Sequence, residues 1–307
     1  MIKQKPTVTI GIAAYNESDN VRILIRDILD QRIPNATLES IVVASDGSTD
    51  DTVIALFKEF TKNVVVIDNK IRQGKPRMLN QILKKTQADI LVLLDADVRM
   101  PDKHCIQTLI EPIISRDQDL TSARVEEIGA ATSTEKMLMM SMQMKRWIYE
   151  HYDKGNNIYT CHGRGLALSK KLYSQIVLPE QIIADDAFIY LSCLNNFAHY
   201  THVPKARIFY MLPQTIEDHK KQSVRFFQGK KQLQKYFGAA NVKQIFTIPF
   251  WIVVQGTLLF GIKKPLLMLN YFWTTLKMKS IAAKTSFGTS KWEMAKSSKT
   301  LSKIQTV

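Results

Sequence analysis

The 307-residue chain has few cysteines and no apolar run long enough to cross a membrane unbroken. Its three cysteines, Cys105, Cys161 and Cys193, are far apart and match no zinc-ligand spacing, which predicts buried or incidental thiols in a reduced compartment. The first fifteen residues lack the hydrophobic segment of a signal peptide, so we expect no secretion. The longest uncharged stretch, 246–262, has 17 residues, and a spanning helix needs roughly 20.

Acidic residues are also scarce, with 28 Asp and Glu against 42 Lys and Arg, which gives a net charge of +14. A basic excess of this size favours anionic partners such as phosphates, acidic lipid headgroups or nucleic acid. The hydrophobic content of 45% is enough for a sizeable core. The length therefore predicts one large domain, or one domain with an appendage.

Short β-branched runs alternate with helical patterns over the first hundred residues. Strands are predicted at 7–12, 39–44, 63–67 and 89–94. The intervening helices have apolar residues at helical spacing, Val21, Leu24, Ile25, Ile28 and Leu29 after an N-cap at Ser18, then Val53, Leu56, Phe57 and Phe60, then Met78, Leu79, Ile82 and Leu83 after Pro76. This alternation predicts an α/β fold with a mostly parallel sheet and helices on both faces.

Charged motifs follow the predicted strands, where ligands of parallel sheets bind. Asp95 and Asp97 follow the fourth strand, and carboxylate oxygens of this kind hold Mg²⁺ together with substrate phosphates. The alternative for this DAD motif is a solvated acidic turn. Asp46 ends the second strand before Gly47, where small residues allow a ligand to approach the backbone. Its alternative role is to cap the following helix.

Two further motifs are basic or acidic. Arg72 and Lys75 precede a predicted helix, and a helix N-terminus with a nearby ammonium suits a diphosphate. A basic surface turn is the alternative. Asp185 and Asp186 lie among apolar residues, so we expect their pKa values to be pushed apart, leaving one as a general base near neutral pH. A helix N-cap pair is the alternative for these two.

Taken in order, YNE at 15–17, SDGSTDD at 45–51, RQGK at 72–75, DAD at 95–97, DD at 185–186 and QSVR at 222–225 form one set. The set resembles that of inverting family 2 glycosyltransferases with a GT-A fold, over about residues 7–237. It is most similar to the branch that makes polysaccharides at membranes, such as cellulose, chitin, hyaluronan and poly-N-acetylglucosamine synthases.

The resemblance implies a role for each matching position. Tyr15, Glu17, Asp46, Arg72 and Lys75 would bind the nucleotide side of the donor, with Asp95 near the ribose and diphosphate. Asp97, with Asp95, would hold a divalent cation, Mg or Mn. Gly163, in the stretch His162–Gly165, would lie near the donor and acceptor sugars. Asp186, beside Asp185, would be the general base. Gln222, Arg225 and Phe226 match the QxxRW motif, near the diphosphate and the acceptor.

The chain departs from that family at three places. The ED pair is Asp185-Asp186 here, and the tryptophan of QxxRW is Phe226, which puts synthase-like handling of the acceptor in doubt. The flanking transmembrane helices are missing from this sequence, and a processive synthase needs a channel.

The C-terminal part differs in composition from the rest. We divide the chain into a GT-A catalytic domain at 1–237, an apolar helical segment at 238–280 that associates with a membrane or packs on the domain, and a basic, loosely ordered tail at 281–307. Residues 277–307 hold seven lysines and one glutamate, a local charge of +6. An interfacial hairpin anchored by Trp251 and Trp273 and a buried helical pair are equally compatible with 246–276. The methionine-rich stretch 137–144 favours adaptable packing.

The motifs predict transfer of a sugar from a nucleotide diphosphate sugar, with UDP as the expected nucleotide, to a glycan or lipid-linked acceptor. An anionic membrane surface on the cytoplasmic side is the expected location, peripheral or monotopic, and no nucleic-acid partner is expected. A nucleotidyltransferase and a non-catalytic basic scaffold remain as alternatives. The first would need a glycine-rich loop where this chain has AAYNE, and the second leaves the ordered carboxylates unexplained.

Overall fold

The strands belong to one eight-stranded sheet with the order β3-β2-β1-β4-β7-β6-β8-β5. The structure, a computed structural model, describes residues 4–60 and 62–284, except for the side chains of 220–225, 227 and 277–284. The strands are β1 (Thr7–Ala14), β2 (Thr37–Asp46), β3 (Val64–Asn69), β4 (Ile90–Asp95), β5 (Val98–Arg99), β6 (Leu120–Ile128), β7 (Gly165–Ser169) and β8 (Tyr200–Met211).

Helices connect the strands and then continue beyond the last strand. They are α1 (Ser18–Leu29), α2 (Thr52–Glu59), α3 (Lys75–Lys85), α4 (Cys105–Ile114), α5 (Ser133–His151), α6 (Lys170–Tyr173), α7 (Asp185–Asn195), α8 (Ile216–Phe237), α9 (Ala239–Ile245), α10 (Phe250–Lys263) and α11 (Pro265–Lys284). All four strands predicted at the start of the chain are present, each extended by one or more residues at its carboxyl end.

The sheet has a parallel half and a mixed half. Strands β3, β2, β1 and β4 are parallel neighbours. Strand β7 runs antiparallel to β4 and β6, β6 and β8 are parallel, and β5 pairs antiparallel with β8. The parallel half has near-continuous apolar runs because both of its faces are covered.

Alternate residues of the central strands face two separate clusters of buried side chains. In β4, Val92 and Leu94 pack on one face, and Leu91 and Leu93 pack on the other. The first cluster includes apolar residues of α1 and α4, and the second includes those of α3 and α7. The predicted arrangement, a sheet with helices on both faces, is therefore confirmed.

Three details of the first two helices were wrong. Ser18 is the first residue of α1 rather than its N-cap, which is Glu17. Leu29 and Phe57 were expected on buried faces, but both are exposed. Phe57 lies on α2, which connects β2 to the edge strand β3. Because the sheet ends at β3, it extends beneath only part of this helix. Leu56 is therefore the one fully buried apolar residue of α2.

The C-terminal helices pack on the methionine-rich helix. Gly256 of α10 lies so close to α5 that a Cβ there would be 2.5 Å from Ile148 Cγ1. Met140 and Met144 of the methionine-rich stretch are buried in the same contact, as the predicted packing role requires, while Leu138 and Met142 line a cavity described below. The buried residues of this third cluster are Met140, Met144, Ile148, Ile252 and Met268.

Helices α10 and α11 each have a second face, turned away from α5, that is exposed and apolar. Phe250, Trp251, Leu258, Ile262, Leu266, Leu269, Phe272, Trp273 and Leu276 are all more than 45% exposed. Among the described helices, none is long and apolar enough to cross a membrane alone. Helices α9 and α10, which meet at a bend of 41°, are long and apolar enough only when taken together. Residues 281–284 of the predicted tail continue α11, and 285–307 lie outside the described residues.

Candidate active site

The carboxyl ends of three parallel strands bring the first motifs together. Ala14 of β1 lies opposite Ser45 of β2, and Ala13 lies opposite Asp95 of β4. The loops that follow β1, β2 and β4 therefore leave the sheet side by side. The expectation that YNE, SDG and DAD meet at one edge is confirmed by this register.

Asp46 holds the loop that precedes α3. Its Oδ1 accepts hydrogen bonds from the backbone N–H groups of Gln73, at 2.5 Å, and Gly74, at 2.9 Å. Gly47 has φ +67°, and a Cβ there would be 2.7 Å from the backbone nitrogen of Arg72. The SDG motif thus presses directly on the loop, which explains why glycine follows Asp46. Asp46 does not cap α2, whose N-cap residue is Asp51.

Tyr15 and Arg72 form one wall of this edge. The guanidinium of Arg72 lies 4.0 Å from the centre of the Tyr15 ring, and its Nε is 3.8 Å from Asp46 Oδ2. Glu17 is buried, and its Oε2 accepts a hydrogen bond from Asn20 Nδ2 at 2.8 Å. The structure therefore brings Tyr15, Arg72 and Asp46 together, and Glu17 lies behind them against α1.

Lys75 joins two carboxylates that are 90 residues apart in the sequence. Its Nζ is 2.7 Å from Asp95 Oδ1 and 2.9 Å from Asp185 Oδ2. Burial alone would lower the pKa of Lys75, but the charges of Asp185 and Asp95 outweigh it and raise that pKa well above its usual value. Burial likewise works against ionisation of Asp95, yet Lys75 and then Arg164 bring its pKa below the usual value.

Asp185 and Asp186 begin α7 but have different surroundings. Asp185 faces Lys75, and its pKa is raised by burial first and then by Asp186 and Asp95, against the effect of Lys75. Asp186 Oδ2 accepts a hydrogen bond from Gly163 N at 3.2 Å, and Oδ1 accepts one from Ala187 N at 2.8 Å. The N-cap of α7 is Ala184, so the interpretation of the pair as N-caps is wrong.

Gly163 lies between the two sides of the site. A Cβ at this position would be 3.4 Å from Asp186 Cβ and 3.5 Å from Lys75 Nζ. A side chain here would fill the space beside both groups, so glycine keeps that space available to a ligand.

His162 and Arg164 were noted in sequence only as neighbours of Gly163. The guanidinium of Arg164 lies 3.8 Å from the centre of the Tyr210 ring, and its Nη1 is 3.4 Å from both ring nitrogens of His162. Burial and then the Arg164 charge lower the pKa of His162 to about 3, so the imidazole is neutral. In the sequence, only the string HGRG at 162–165 pointed to these two residues. It did not indicate that Arg164 would place a positive charge beside Asp95.

Asp95 and Asp97 are the expected metal ligands. Within the described part of the chain, no group of three or more His, Cys, Asp or Glu side chains is arranged to hold a metal ion. Two carboxylates suit a hard divalent cation when the remaining oxygen ligands come from substrate phosphates and water. The donor set therefore matches Mg or Mn bound together with a diphosphate, and Asp95 would then share its carboxylate between the ion and Lys75.

Asp186 also lines a cavity of about 600 Å³. Strands β6 and β8 form its floor, and α5 and the segment 158–164 contribute the largest shares of its walls, with further residues from α7, α8 and α11. Of the predicted acceptor residues, Phe226 lines this cavity. Gln222 and Arg225 lie on α8, but their side chains are outside the described residues. Sequence reasoning did not identify the cavity, because the motif residues Asp186 and Phe226 share its lining with residues of α5 and β6 that carry no motif.

Residues 9–177 match the family model described as glycosyl transferase family 2. The probable glycosyltransferase YdaM of Bacillus subtilis is 21% identical over 89% of this chain and 68% of its own length. The poly-beta-1,6-N-acetyl-D-glucosamine synthase of Staphylococcus epidermidis is 29% identical over 33% of this chain, a segment that spans 24% of that protein.

Solved structures with the same fold include the mannosyltransferase PcManGT of Pyrobaculum calidifontis, in complex with GDP-Man and Mn²⁺. It is 17% identical, with a TM-score of 0.59 over 92% of this chain and 77% of that one. Glucosyl-3-phosphoglycerate synthase of Mycobacterium tuberculosis, with Mn²⁺, UDP and phosphoglyceric acid, is 16% identical with a TM-score of 0.54, over 76% and 79% of the two chains. The predicted GT-A fold is confirmed.

Proposed function

This chain belongs to glycosyl transferase family 2, and we propose that it transfers a sugar from a UDP-sugar to an acceptor hydroxyl, with inversion at the anomeric carbon. One observation carries the proposal. Lys75 bridges Asp95, on the donor side, and Asp185, whose neighbour Asp186 faces the cavity. A cation for the leaving diphosphate and a base for the acceptor are therefore adjacent.

In the proposed reaction, Asp186 accepts the proton of the acceptor hydroxyl. The acceptor oxygen forms a bond to the anomeric carbon as the bond between that carbon and the diphosphate oxygen breaks. The bonding electrons leave with UDP, and the positive charge of Lys75 stabilises the departing diphosphate. Attack on the face opposite to the diphosphate inverts the anomeric configuration.

Asp95 and Asp97 are the residues proposed to hold Mg or Mn. A bound divalent cation would neutralise charge on the diphosphate of the donor. The relatives support this assignment only by analogy, since Mn²⁺ is present in the complexes of PcManGT and of glucosyl-3-phosphoglycerate synthase.

Nucleotide binding is the first test. We would titrate the protein with UDP and with GDP, with Mn²⁺ present and then after EDTA. The proposal expects UDP binding that needs the metal and is lost in Asp97→Ala. Binding of GDP instead would change the donor, as in PcManGT, and keep the transferase. Binding of neither nucleotide would contradict the proposal and favour the basic scaffold.

The general base is tested by turnover. Asp186→Asn should keep UDP affinity and lose on the order of 10²- to 10⁴-fold in sugar transfer, the usual contribution of a positioned base. Asp30→Asn, which changes an exposed aspartate distant from the sheet edge, is the matched control. Full turnover in Asp186→Asn would remove this role from Asp186.

We propose that the acceptor is a glycan or a lipid-linked saccharide presented at the cytoplasmic face of a membrane. Nine exposed apolar residues of α10 and α11 support this location, including Trp251 and Trp273, which are 60% and 67% exposed. Lys263, the last residue of α10, and Lys264, which precedes α11, are both exposed, and their charges complement an anionic lipid surface. Tyr271 of α11 also lines the cavity, so this surface and the acceptor site are adjacent.

Vesicle co-sedimentation tests the membrane assignment. We expect the full chain to bind phosphatidylcholine vesicles that contain phosphatidylglycerol more strongly than vesicles without it. The double change Trp251→Ser and Trp273→Ser should weaken binding by about tenfold or more. Phe197→Ser, at an aromatic residue that is 92% exposed elsewhere on the surface, is the control. Equal binding by wild type and the tryptophan variant would overturn the assignment.

A further inference from the structure

Two lysines that line the cavity beside Asp186 lie against aromatic rings. Lys145 of α5 has its Nζ 5.5 Å from the centre of the Tyr271 ring, and Lys230 of α8 has its Nζ 4.7 Å from the centre of the Phe246 ring. Within the part of the chain that the structure describes, neither lysine forms an ion pair. Burial lowers the pKa of Lys230, as expected for an ammonium that lacks a counter-ion.

Each of the three arginines that line the same cavity has its charge engaged, and Arg124 Nε is 3.2 Å from Glu126 Oε1 and 3.1 Å from Glu150 Oε1. Arg146 Nη1 is 2.9 Å from Glu127 Oε1, and Arg164 stacks on Tyr210. The charges left for a ligand are therefore ammonium groups rather than guanidinium groups. Ammonium groups bind phosphate as point charges, without the two-point geometry that arginine offers to a carboxylate.

The floor of the cavity carries a second, independent feature. His202 is only 8% exposed, and among the described residues its buried Nε2 has no hydrogen-bond partner, although Nδ1 lies 3.1 Å from Ser122 Oγ. Arg124 Nε and Glu150 Oε1 form an ion pair at 3.1 Å, and His202 Nε2 is 3.7 Å from the same oxygen, but none of these three atoms makes a hydrogen bond within the described part of the chain. Buried polar atoms in native proteins normally have partners, so donors and acceptors facing one cavity indicate a polar ligand such as a sugar.

We propose that this cavity binds an acceptor saccharide that carries a phosphate group away from its reacting hydroxyl. Sugar hydroxyls would contact Arg124, Glu150 and His202, and the phosphate would lie between Lys145 and Lys230. This inference rests on the proposed function, because it names the chemical class of the acceptor for the same site. The phosphate could belong to a soluble sugar phosphate or to a lipid-linked saccharide.

The test separates the donor site from the phosphate site. The protein is first saturated with UDP and Mg²⁺, and the same complex is then titrated with inorganic phosphate, dodecyl phosphate or dodecyl maltoside. Failure of UDP to bind would count against the proposed function and would be seen before any phosphate is added. With UDP bound, we expect both phosphate probes to bind and the neutral maltoside to bind more weakly.

The double variant Lys145→Met and Lys230→Met should lose about tenfold or more in affinity for phosphate while keeping its UDP affinity, which also reports that it is folded. Lys136→Met and Lys231→Met remove exposed lysines from the same two helices, outside the cavity lining, and form the matched control.

Each outcome bears on the proposal. Tighter binding of dodecyl phosphate than of inorganic phosphate would support a lipid-linked acceptor, and equal binding would support a soluble one. Absence of phosphate binding to the UDP complex of the wild type would overturn the proposal. Equal phosphate affinity in the wild type and the cavity variant would overturn it as well.

Discussion

Two regions of the site satisfy their polar groups differently. One is the donor edge, by which we mean Asp46, Lys75 and Asp95 at the carboxyl ends of the parallel strands. The other is the cavity lined by Asp186, which is the proposed acceptor cavity. At the donor edge, Lys75 has two carboxylates within 3 Å, and Asp46 holds the backbone of the loop before α3. In the cavity, Lys145 and Lys230 face rings, and His202 Nε2 has no hydrogen-bond partner. The donor edge is thus prearranged by its own contacts, whereas the cavity keeps polar groups available to a ligand.

The difference follows from how each region is built. Parallel strands end at one edge, so short loops bring charged residues together with little freedom in their positions. The cavity is lined by residues of several elements, of which α5 and α11 pack together through apolar side chains while Lys145, Arg146 and Glu150 of α5 line the cavity. Breaking contacts at the donor edge should therefore affect both function and stability, whereas breaking contacts between the helices should affect mainly stability.

The largest effect is expected from Lys75→Met. It leaves Asp95 and Asp185 facing each other without their shared cation, which should cost about 3 kcal/mol of unfolding free energy. Sugar transfer should fall on the order of 10²- to 10³-fold, because the leaving diphosphate loses a positive charge. Lys84→Met, an exposed position on the same helix, is the control. Urea unfolding and turnover check both values, and near-normal activity would show that Lys75 is only structural.

A smaller loss is expected from Asp46→Ala. The N–H groups of Gln73 and Gly74 lose their acceptor, and the loop that carries Arg72 is no longer held. UDP affinity should drop by about tenfold to a hundredfold, measured by titration. Asp51→Ala removes a carboxylate at the N-cap of α2 that makes no capping hydrogen bond, and it should bind UDP normally. Equal affinities in the two variants would mean that the loop is held by other contacts.

On the acceptor side, the contact between α10 and α5 can be broken with one methyl group. Gly256→Ala places a Cβ 2.5 Å from Ile148 Cγ1, so the unfolding free energy should fall by about 1–2 kcal/mol. Gly261→Ala, in the same helix with its nearest contact at 3.9 Å, should instead gain about 0.5–1 kcal/mol. Thermal unfolding compares the two. A stabilised Gly256→Ala variant would show that the helices separate without cost.

The last prediction sharpens the comparison through the dependence of stability on pH. The pKa of His162 is lowered to about 3 and that of His219, on the cavity wall, to about 4, in each case first by burial. Below pH 6.5 the unfolded chain takes up protons that the folded chain refuses, so stability falls as pH falls toward those values.

Replacing either histidine should flatten this loss. We expect the unfolding free energy of His162→Gln and of His219→Gln to fall less between pH 7 and pH 5 than that of the wild type, by up to about 1 kcal/mol per pH unit for each. Urea titrations at the two pH values measure it. A wild-type slope that neither variant changes would indicate that other groups control the acid sensitivity.

The sequence predicted the parallel half of the sheet because its strands are uninterrupted apolar runs and its charged motifs mark their ends. It also predicted Asp46, Lys75 and Asp95 at one edge. It did not predict that Lys75 would bridge to Asp185, because that contact depends on how far α7 lies from α3 in the folded chain. Nor did it predict that Phe57 is exposed, since helical spacing does not reveal how much sheet lies beneath a helix.

The contacts of Lys75 have a consequence for the order in which substrates bind. Its ammonium is held by Asp95 and Asp185 together, so a diphosphate that attracts Lys75 changes the electrostatic field at the start of α7. Asp186 lies in that first turn and faces the acceptor cavity. With Asp186 as the proposed base, an acceptor that arrives after the donor would meet a different electrostatic environment from one that arrives before it, and we therefore expect ordered kinetics with the nucleotide sugar first.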